Sequence, residues 1–254
     1  METLLEFALV GFVAQLVDGA LGMGFGVISA AVLLAQGVPP PLVSATVNAA
    51  KLPTGAMSAA SHIMHRNVDW AIVRRIAISG ALGGLAGAFL LISLKGDLLM
   101  LLIGLYLLLV GLLVMRRAIR GTVPAHAGKR RLSLIGGAAG LIEGIGGSWG
   151  PIATTGLLSA GVPPRQAIGS SNIAEFMVSF TVFAMLIATF HNGIWGESSD
   201  WRGLLSAVGG LIMGGLPAAL FGGYLARRLP RRPLSFAVGA LAFSIGLWRL
   251  YTLI

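Results

Sequence analysis

Apolar residues run through this chain in stretches long enough to cross a bilayer, and polar residues fall between those stretches or in narrow stripes within them. The first apolar unit, from Thr3 to about Ala35, is interrupted by the glycine-rich run LGMGFG at residues 21–26 and stops at GVPPP, residues 37–41. The arm after the break rises only about 15 Å, half of a ~30 Å hydrocarbon core, which predicts a re-entrant hairpin with its tip near the midplane. The arm before the break is longer and could cross alone. Three full spans are predicted next, at residues 42–64, 71–94 and 98–115. A basic segment then carries Arg116, Arg117, Arg120, Lys129, Arg130 and Arg131 around Gly121, Pro124 and Gly128, and reads as a cytoplasmic linker in which His126 is solvated.

The pattern then repeats. Sliding the chain by 124 residues lays Gly22, Phe25 and Gly26 on Gly146, Trp149 and Gly150, one GVPP on the other, and Asn48 on Asn172. Asp18 meets Glu143 after a one-residue gap. Further along, Asp69-Trp70 matches Asp200-Trp201, Gly83-Gly84 matches Gly214-Gly215, and Gly104 with Gly111 matches Gly239 with Gly246. Identities in register along most of each half mark a duplicated bundle: a first membrane repeat at 1–117, a linker at 118–131 and a second repeat at 132–254. Charge sets their relative orientation. The loop after the Asn48 helix holds Arg66, Arg74 and Arg75, whereas its counterpart holds Glu197, Asp200 and only Arg202. The near-neutral loop at 95–97 corresponds to one with Arg227, Arg228, Arg231 and Arg232. Because basic loops face the cytoplasm, corresponding loops lie on opposite sides and the repeats are inverted. A hairpin that returns to its own side plus three spans then places both termini outside, with the linker and Arg165 inside. The expected fold class is an all-α polytopic membrane protein of two inverted repeats, each a re-entrant or broken-helix hairpin plus three transmembrane helices.

Composition agrees and removes other classes. With 56% hydrophobic and 11% charged residues over 254 positions, the chain is too apolar for a soluble domain. A formal net charge of +9 would suit nucleic acid if the basic residues shared a polar face, but they fall between apolar spans, so no nucleic-acid partner is expected and the lipid bilayer is. The absence of cysteine removes disulfides, thiolate nucleophiles and Cys-ligated metals. Glu2 and Glu6 replace the basic start of a signal peptide, so the N-terminus is expected to stay on the mature protein.

Inverted repeats with broken helices are the architecture of secondary transporters. A helix that begins inside the membrane aims free N–H groups and its positive dipole end at whatever fills the gap, and glycines let an anion approach that backbone. Gly22, Gly24, Gly26, Gly146, Gly147, Ser148 and Gly150 are therefore expected to bind anionic oxygens; the other reading is that these glycines only permit close packing, as Gly83, Gly84, Gly214 and Gly215 are expected to do. Phe25 and Trp149 either gate the site or fill the hairpin tip. The helix after each GVPP carries a polar stripe: Ser44, Asn48, Lys51, Gly55, Ser58, His62 and His65 in the first half, Asn172, Glu175 and Ser179 in the second. Asn48 and Asn172 can each donate two hydrogen bonds to an oxyanion. Lys51 and Glu175 either neutralise one another as a structural pair, or Lys51 attracts the anion while Glu175 changes protonation. Asp18 and Glu143 either carry protons or cap the following arm. No metal or cofactor is expected; His62 and His65 lack a nearby carboxylate, and His191 falls in an outside loop.

The repeated sequence of a glycine-rich break, a short arm, G-V-P-P, a helix with a central Asn, D-W and a G-G-bearing span resembles the TauE/SafE sulfite exporter family over nearly the whole chain. The resemblance implies a prokaryotic plasma or inner-membrane permease that exports small sulfur-containing oxyanions, with protons as an assumed coupling ion. It places the family's glycine signature on Gly22, Gly24 and Gly26, and on Gly146, Gly147 and Gly150 with Pro151. The first half departs from the pattern at Met23, Phe25 and Val27. No enzyme is expected, since no nucleophile–base or metal-ligand constellation is legible. An anion channel, a membrane-embedded enzyme and a scaffold are the alternatives; oligomeric state is not legible.

Overall fold

The computed structural model describes residues 2–94, 96–120, 128–191, 201–221, 224 and 231–253. Among them the chain is helical throughout, with ten helices: α1 Glu2–Leu21, α2 Phe25–Ala35, α3 Pro40–Met64, α4 Trp70–Ser93, α5 Gly96–Arg120, α6 Lys129–Gly146, α7 Gly150–Ser159, α8 Pro164–His191, α9 Trp201–Ala219 and α10 Arg231–Tyr251. Five have the length and apolarity to cross a membrane: Leu4–Leu21, Trp70–Ser93, Asp97–Arg120, Pro164–Thr189 and Arg232–Tyr251. The two short arms, α2 and α7, have 11 and 10 residues.

Local chemistry explains the boundaries. After α2 and again after α7 the chain turns through a left-handed glycine, Gly37 at φ +81° and Gly161 at φ +83°. In each case the glycine N–H and the following Val N–H bond back to the helix, Gly37 to Leu34 and Val38 to Leu33, Gly161 to Leu158 and Val162 to Leu157. This is the Schellman stop, and the prolines that follow start the next helix, where a missing N–H is harmless. The repeated GVPP is thus one device used twice. Asp69 caps α4, accepting from Ala71 N at 2.9 Å and Ile72 N at 3.2 Å. α5 continues to Arg120 and α6 begins at Lys129, so helix enters the basic segment from both sides. His126, Glu197, Asp200, Arg227 and Arg228 lie outside the described residues, and His191 is the last residue of α8.

Packing exchanges the halves in a regular way. α1 packs along α9 and α6 along α4; α5 pairs with α10 and α3 with α8. Glycines set these approaches. A Cβ on Gly83 would overlap the Gly137 carbonyl, and one on Gly214 would overlap the Ala8 carbonyl. The double glycines therefore let backbones touch, the usual route to tight helix association in lipid. α3 and α8 meet at the centre and hold most of the buried polar side chains, from Ser44 to His62 and from Ser170 to Ser179. His62 is buried and its Nδ1 accepts from Asn67 Nδ2 at 3.3 Å, whereas His65 Nδ1 donates to the Ser61 carbonyl at 2.7 Å.

Candidate functional site

Both helix breaks are built alike. In the first, Gly22 turns at φ +66° and its N–H bonds to Asp18 O; in the second, Gly147 turns at φ +66° and its N–H bonds to Glu143 O. The backbone therefore pairs Gly22 with Gly147, where the 124-residue slide pairs it with Gly146. The first break has one more residue between this glycine and the aromatic that opens the next arm, and the gap needed for Asp18 and Glu143 sits there. Each acidic residue then reaches across its own break: Asp18 Oδ1 accepts from Phe25 N at 3.3 Å and Glu143 Oε2 from Trp149 N at 2.7 Å. The carboxylates occupy the positive ends of the short arms, where an anion is stabilised by N–H groups and dipole.

The two tips interlock. A Cβ on Gly26 would overlap the Gly147 carbonyl, and one on Gly150 would overlap the Gly22 carbonyl. Gly24 is tight as well, its Cβ position lying 2.9 Å from Asp18 N. The aromatics fill notches in the opposite half: the Trp149 ring lies against Gly80 of α4, and the Phe25 ring against Gly215 of α9. Both are buried, and the Trp149 indole donates to Ser171 Oγ at 2.9 Å. Thr154 of α7 donates to the Gly22 carbonyl at 2.6 Å and lies 3.0 Å from Ser171 Oγ, tying the tips to α8.

Lys51 stands at the junction. Its Nζ donates to Glu143 Oε1 at 2.9 Å, Gly147 O at 2.6 Å and Glu175 Oε1 at 2.6 Å, with Glu143 Oε2 at 3.0 Å. Three acceptor groups match its three hydrogens. Glu143 is completely buried and saturated, since Ser179 Oγ adds a bond to Oε1 at 2.7 Å. Lys51 is near the middle of α3 and Glu143 near the end of α6, so the second break lies level with the middle of a spanning-length helix.

Below this junction a chamber of about 10 Å³ is lined by Gln15, Asp18, Phe25, Lys51, Thr54, Asn172 and Glu175, among others. It holds about one water. Asp18, Lys51 and Glu175 are 4%, 3% and 6% exposed, so with Glu143 the junction buries three carboxylates against one ammonium. The asparagines differ from expectation in their free capacity. Asn172 Nδ2 spends a hydrogen on Ile168 O at 3.1 Å and its Oδ1 accepts from Ser58 at 2.9 Å; Asn48 Nδ2 donates to Ser44 O at 2.8 Å, with Ser44 Oγ at 3.3 Å. Asn172 therefore keeps one N–H for a ligand. Asn172 lines the chamber; Asn48 does not, and lies against Gly147 with its Oδ1 buried and without a partner among the described residues. Gly146 and Tyr106 border a separate, mostly apolar cavity of about 10 Å³. Ser148 is buried and donates to Gly146 O at 3.3 Å.

Gln15, Thr54, Tyr106, Thr154 and Ser171 join the site without having been singled out in the sequence. Gln15 had one legible sign, its position three residues before Asp18 on the same helical face. Thr154 and Ser171 are small residues whose partners come from distant segments, and Thr54 and Tyr106 carried no sign in the sequence.

Comparison with known proteins agrees with this architecture. The family model for the sulfite exporter TauE/SafE matches residues 7–249. A probable membrane transporter protein of Bacillus subtilis (strain 168), YtnM, is 35% identical over 253 residues, covering 96% of this chain and 82% of the relative. A probable membrane transporter protein of Xylella fastidiosa (strain 9a5c) is 29% identical over 256 residues, covering 95% of this chain and 92% of its own length. On the family match across nearly its whole length, this multi-pass membrane protein belongs to the TauE/SafE sulfite exporter family of transporters.

Proposed function

We propose that the protein moves a small sulfur-containing oxyanion, such as sulfite or a sulfonate, outward across the prokaryotic plasma membrane by alternating access between two inverted repeats. The observation that carries the reading is the interlock of the two broken helices beside a buried chamber that holds Lys51 and Asn172. With room for about one water, the chamber is too small for a three-oxygen anion, so loading requires the tips to part. One half rocking against the other opens them to each side in turn.

Coupling follows from charge. An anion cannot enter a low-dielectric junction that already holds two more carboxylates than ammonium groups unless positive charge accompanies it. A proton taken up by Glu175 from the aqueous side neutralises that carboxylate and frees one Lys51 hydrogen. The freed N–H and the spare N–H of Asn172 then point an anionic oxygen at one place, while Glu143 keeps Lys51 in position. Asp18 and Glu143 act first as caps of the short arms; Phe25 and Trp149 act as plugs that withdraw when the tips part.

Orientation follows the helix starts. α1 opens with Glu2 and Glu6, whereas α6 opens with Lys129, Arg130 and Arg131, opposite signs at equivalent places. Both termini then lie outside and the 118–131 linker in the cytoplasm; a reporter fusion that places the C-terminus in the cytoplasm would overturn this topology. Transport itself is tested in proteoliposomes, where labelled sulfite is expected to accumulate saturably and faster with an imposed pH gradient.

A further inference from the structure

The two halves treat the same position differently. In the second half, the acidic residue at the end of the broken helix, Glu143, is faced by the ammonium of Lys51 from α3. In the first half the equivalent acidic residue is Asp18, and the α8 residue equivalent to Lys51 is Glu175. Asp18 and Glu175 line one chamber, so two carboxylates stand where the other half has a carboxylate and a tethered cation. Lys51 cannot serve both. Its hydrogens are committed to Glu143, Gly147 and one oxygen of Glu175.

A second observation points into the same space. Gln15 is 2% exposed and lines the chamber, and its amide has no hydrogen-bond partner among the described residues. An amide held at 2% exposure with no protein partner is one that a ligand in the chamber can engage. Thr54 lines the chamber too; its hydroxyl hydrogen goes to Ala50 O at 2.8 Å, which leaves its oxygen lone pairs available. Beside the Lys51 ammonium, whose hydrogens are spent, and the spare N–H of Asn172, the chamber thus presents oxygens: carboxylates of Asp18 and Glu175, the amide oxygen of Gln15 and the hydroxyl of Thr54. Hard monovalent and divalent cations take oxygen sets of this kind. The chamber's water-sized volume suits one small ion, and its lining sets two carboxylates, Asp18 and Glu175, against one ammonium, Lys51, an excess that a single positive charge balances.

We infer that the chamber between Asp18 and Glu175 binds a monovalent metal cation of sodium's size, which takes in the first half the place that the Lys51 ammonium fills in the second. Its existence stands on the geometry; its role as a coupling ion rests on the transport reading. A sodium ion there draws Glu175 away from Lys51 and releases an ammonium hydrogen, the same result that a proton on Glu175 achieves. One half carries its cation covalently and the other takes a mobile one, which makes anion loading conditional on cation loading.

The test uses the full-length protein purified in detergent, with thermal unfolding followed in sodium, potassium and choline chloride at equal ionic strength and pH. The expected result is a saturable rise of the unfolding midpoint in sodium alone, absent in Gln15→Leu and in Glu175→Gln. Gln15→Leu breaks no ion pair, so it keeps the test informative should Glu175→Gln fail to fold. Equal midpoints in sodium and choline, or a sodium shift that survives Gln15→Leu, would overturn the site. Uptake measured beside it separates the two readings. Sodium stabilisation without any sulfite flux removes the transport reading and leaves the cation site, whereas pH-driven flux without a sodium shift removes the site and leaves transport.

Discussion

Lys51→Met is expected to be the most damaging single substitution in the chain. The methionine fits the volume, but Glu143 and Glu175 then lose the cation that both contact, at 2.9 and 2.6 Å. Removing one partner of a buried ion pair costs about 3–5 kcal/mol, because the remaining charge is stranded in a low-dielectric setting. Here two carboxylates are stranded, one of them with no exposed surface at all. A loss of that size is comparable with the whole stability of many domains, so the variant should be recovered from membranes in poor yield and unfold at a much lower temperature. Adding Glu143→Gln should restore much of the loss. The glutamine can keep its Oε1 on Trp149 N and turn its Nε2 to donate to Ser179 Oγ, and Glu175, which lines the chamber, can take up a proton. A double variant no more stable than Lys51→Met alone would mean that charge compensation is not what Lys51 supplies.

The second large effect belongs to the tips. Gly26→Ala and Gly150→Ala each place a methyl group on a backbone carbonyl of the other hairpin, which cannot rotate aside as a side chain would. Overpacking a rigid contact costs about 1–3 kcal/mol, and more where backbone must move. Both alanines should also abolish transport, since the tips no longer seat against one another. Gly137→Ala is the control. Its Cβ meets nothing nearer than the Ser79 carbonyl at 3.8 Å, and a helical Gly→Ala change gains up to about 1 kcal/mol, so this variant should unfold at an equal or higher temperature. Equal thermal stability of Gly26→Ala and Gly137→Ala would argue that the tips are not in contact in the folded protein.

Much of the architecture was readable before any coordinate. Hydropathy marks α3 and α4 to within two residues, while α5 runs five residues past the predicted end at 115; the two GVPP stops are legible because a Schellman glycine followed by prolines is a local instruction that needs no tertiary partner. The repeat was readable for the same reason, apart from one residue of register at the breaks. There, identity of glycines favours Gly22 with Gly146, while backbone conformation pairs Gly22 with Gly147. The site was legible as a set of residue types and less so as a set of bonds. Spacing placed Lys51 and Glu175 at equivalent positions, but could not show that Lys51 also binds Glu143, which lies 92 residues away. It showed two asparagines with open amides, but not that each has turned an N–H back onto its own helix. Nor could it find Thr154 and Ser171, which acquire meaning only when the hairpin meets α8.

The claim that an anion is handled where the two tips meet is tested most directly by uptake of labelled sulfite into proteoliposomes carrying wild-type protein or Asn172→Ala. Losing a hydrogen bond to a charged ligand is worth about 1.5–3 kcal/mol, so the variant should retain folded yield while its uptake falls roughly tenfold or more. Saturable wild-type uptake with that loss is the expected result. Flux that does not saturate and ignores the pH gradient, or uptake that is unchanged in Asn172→Ala, would contradict it.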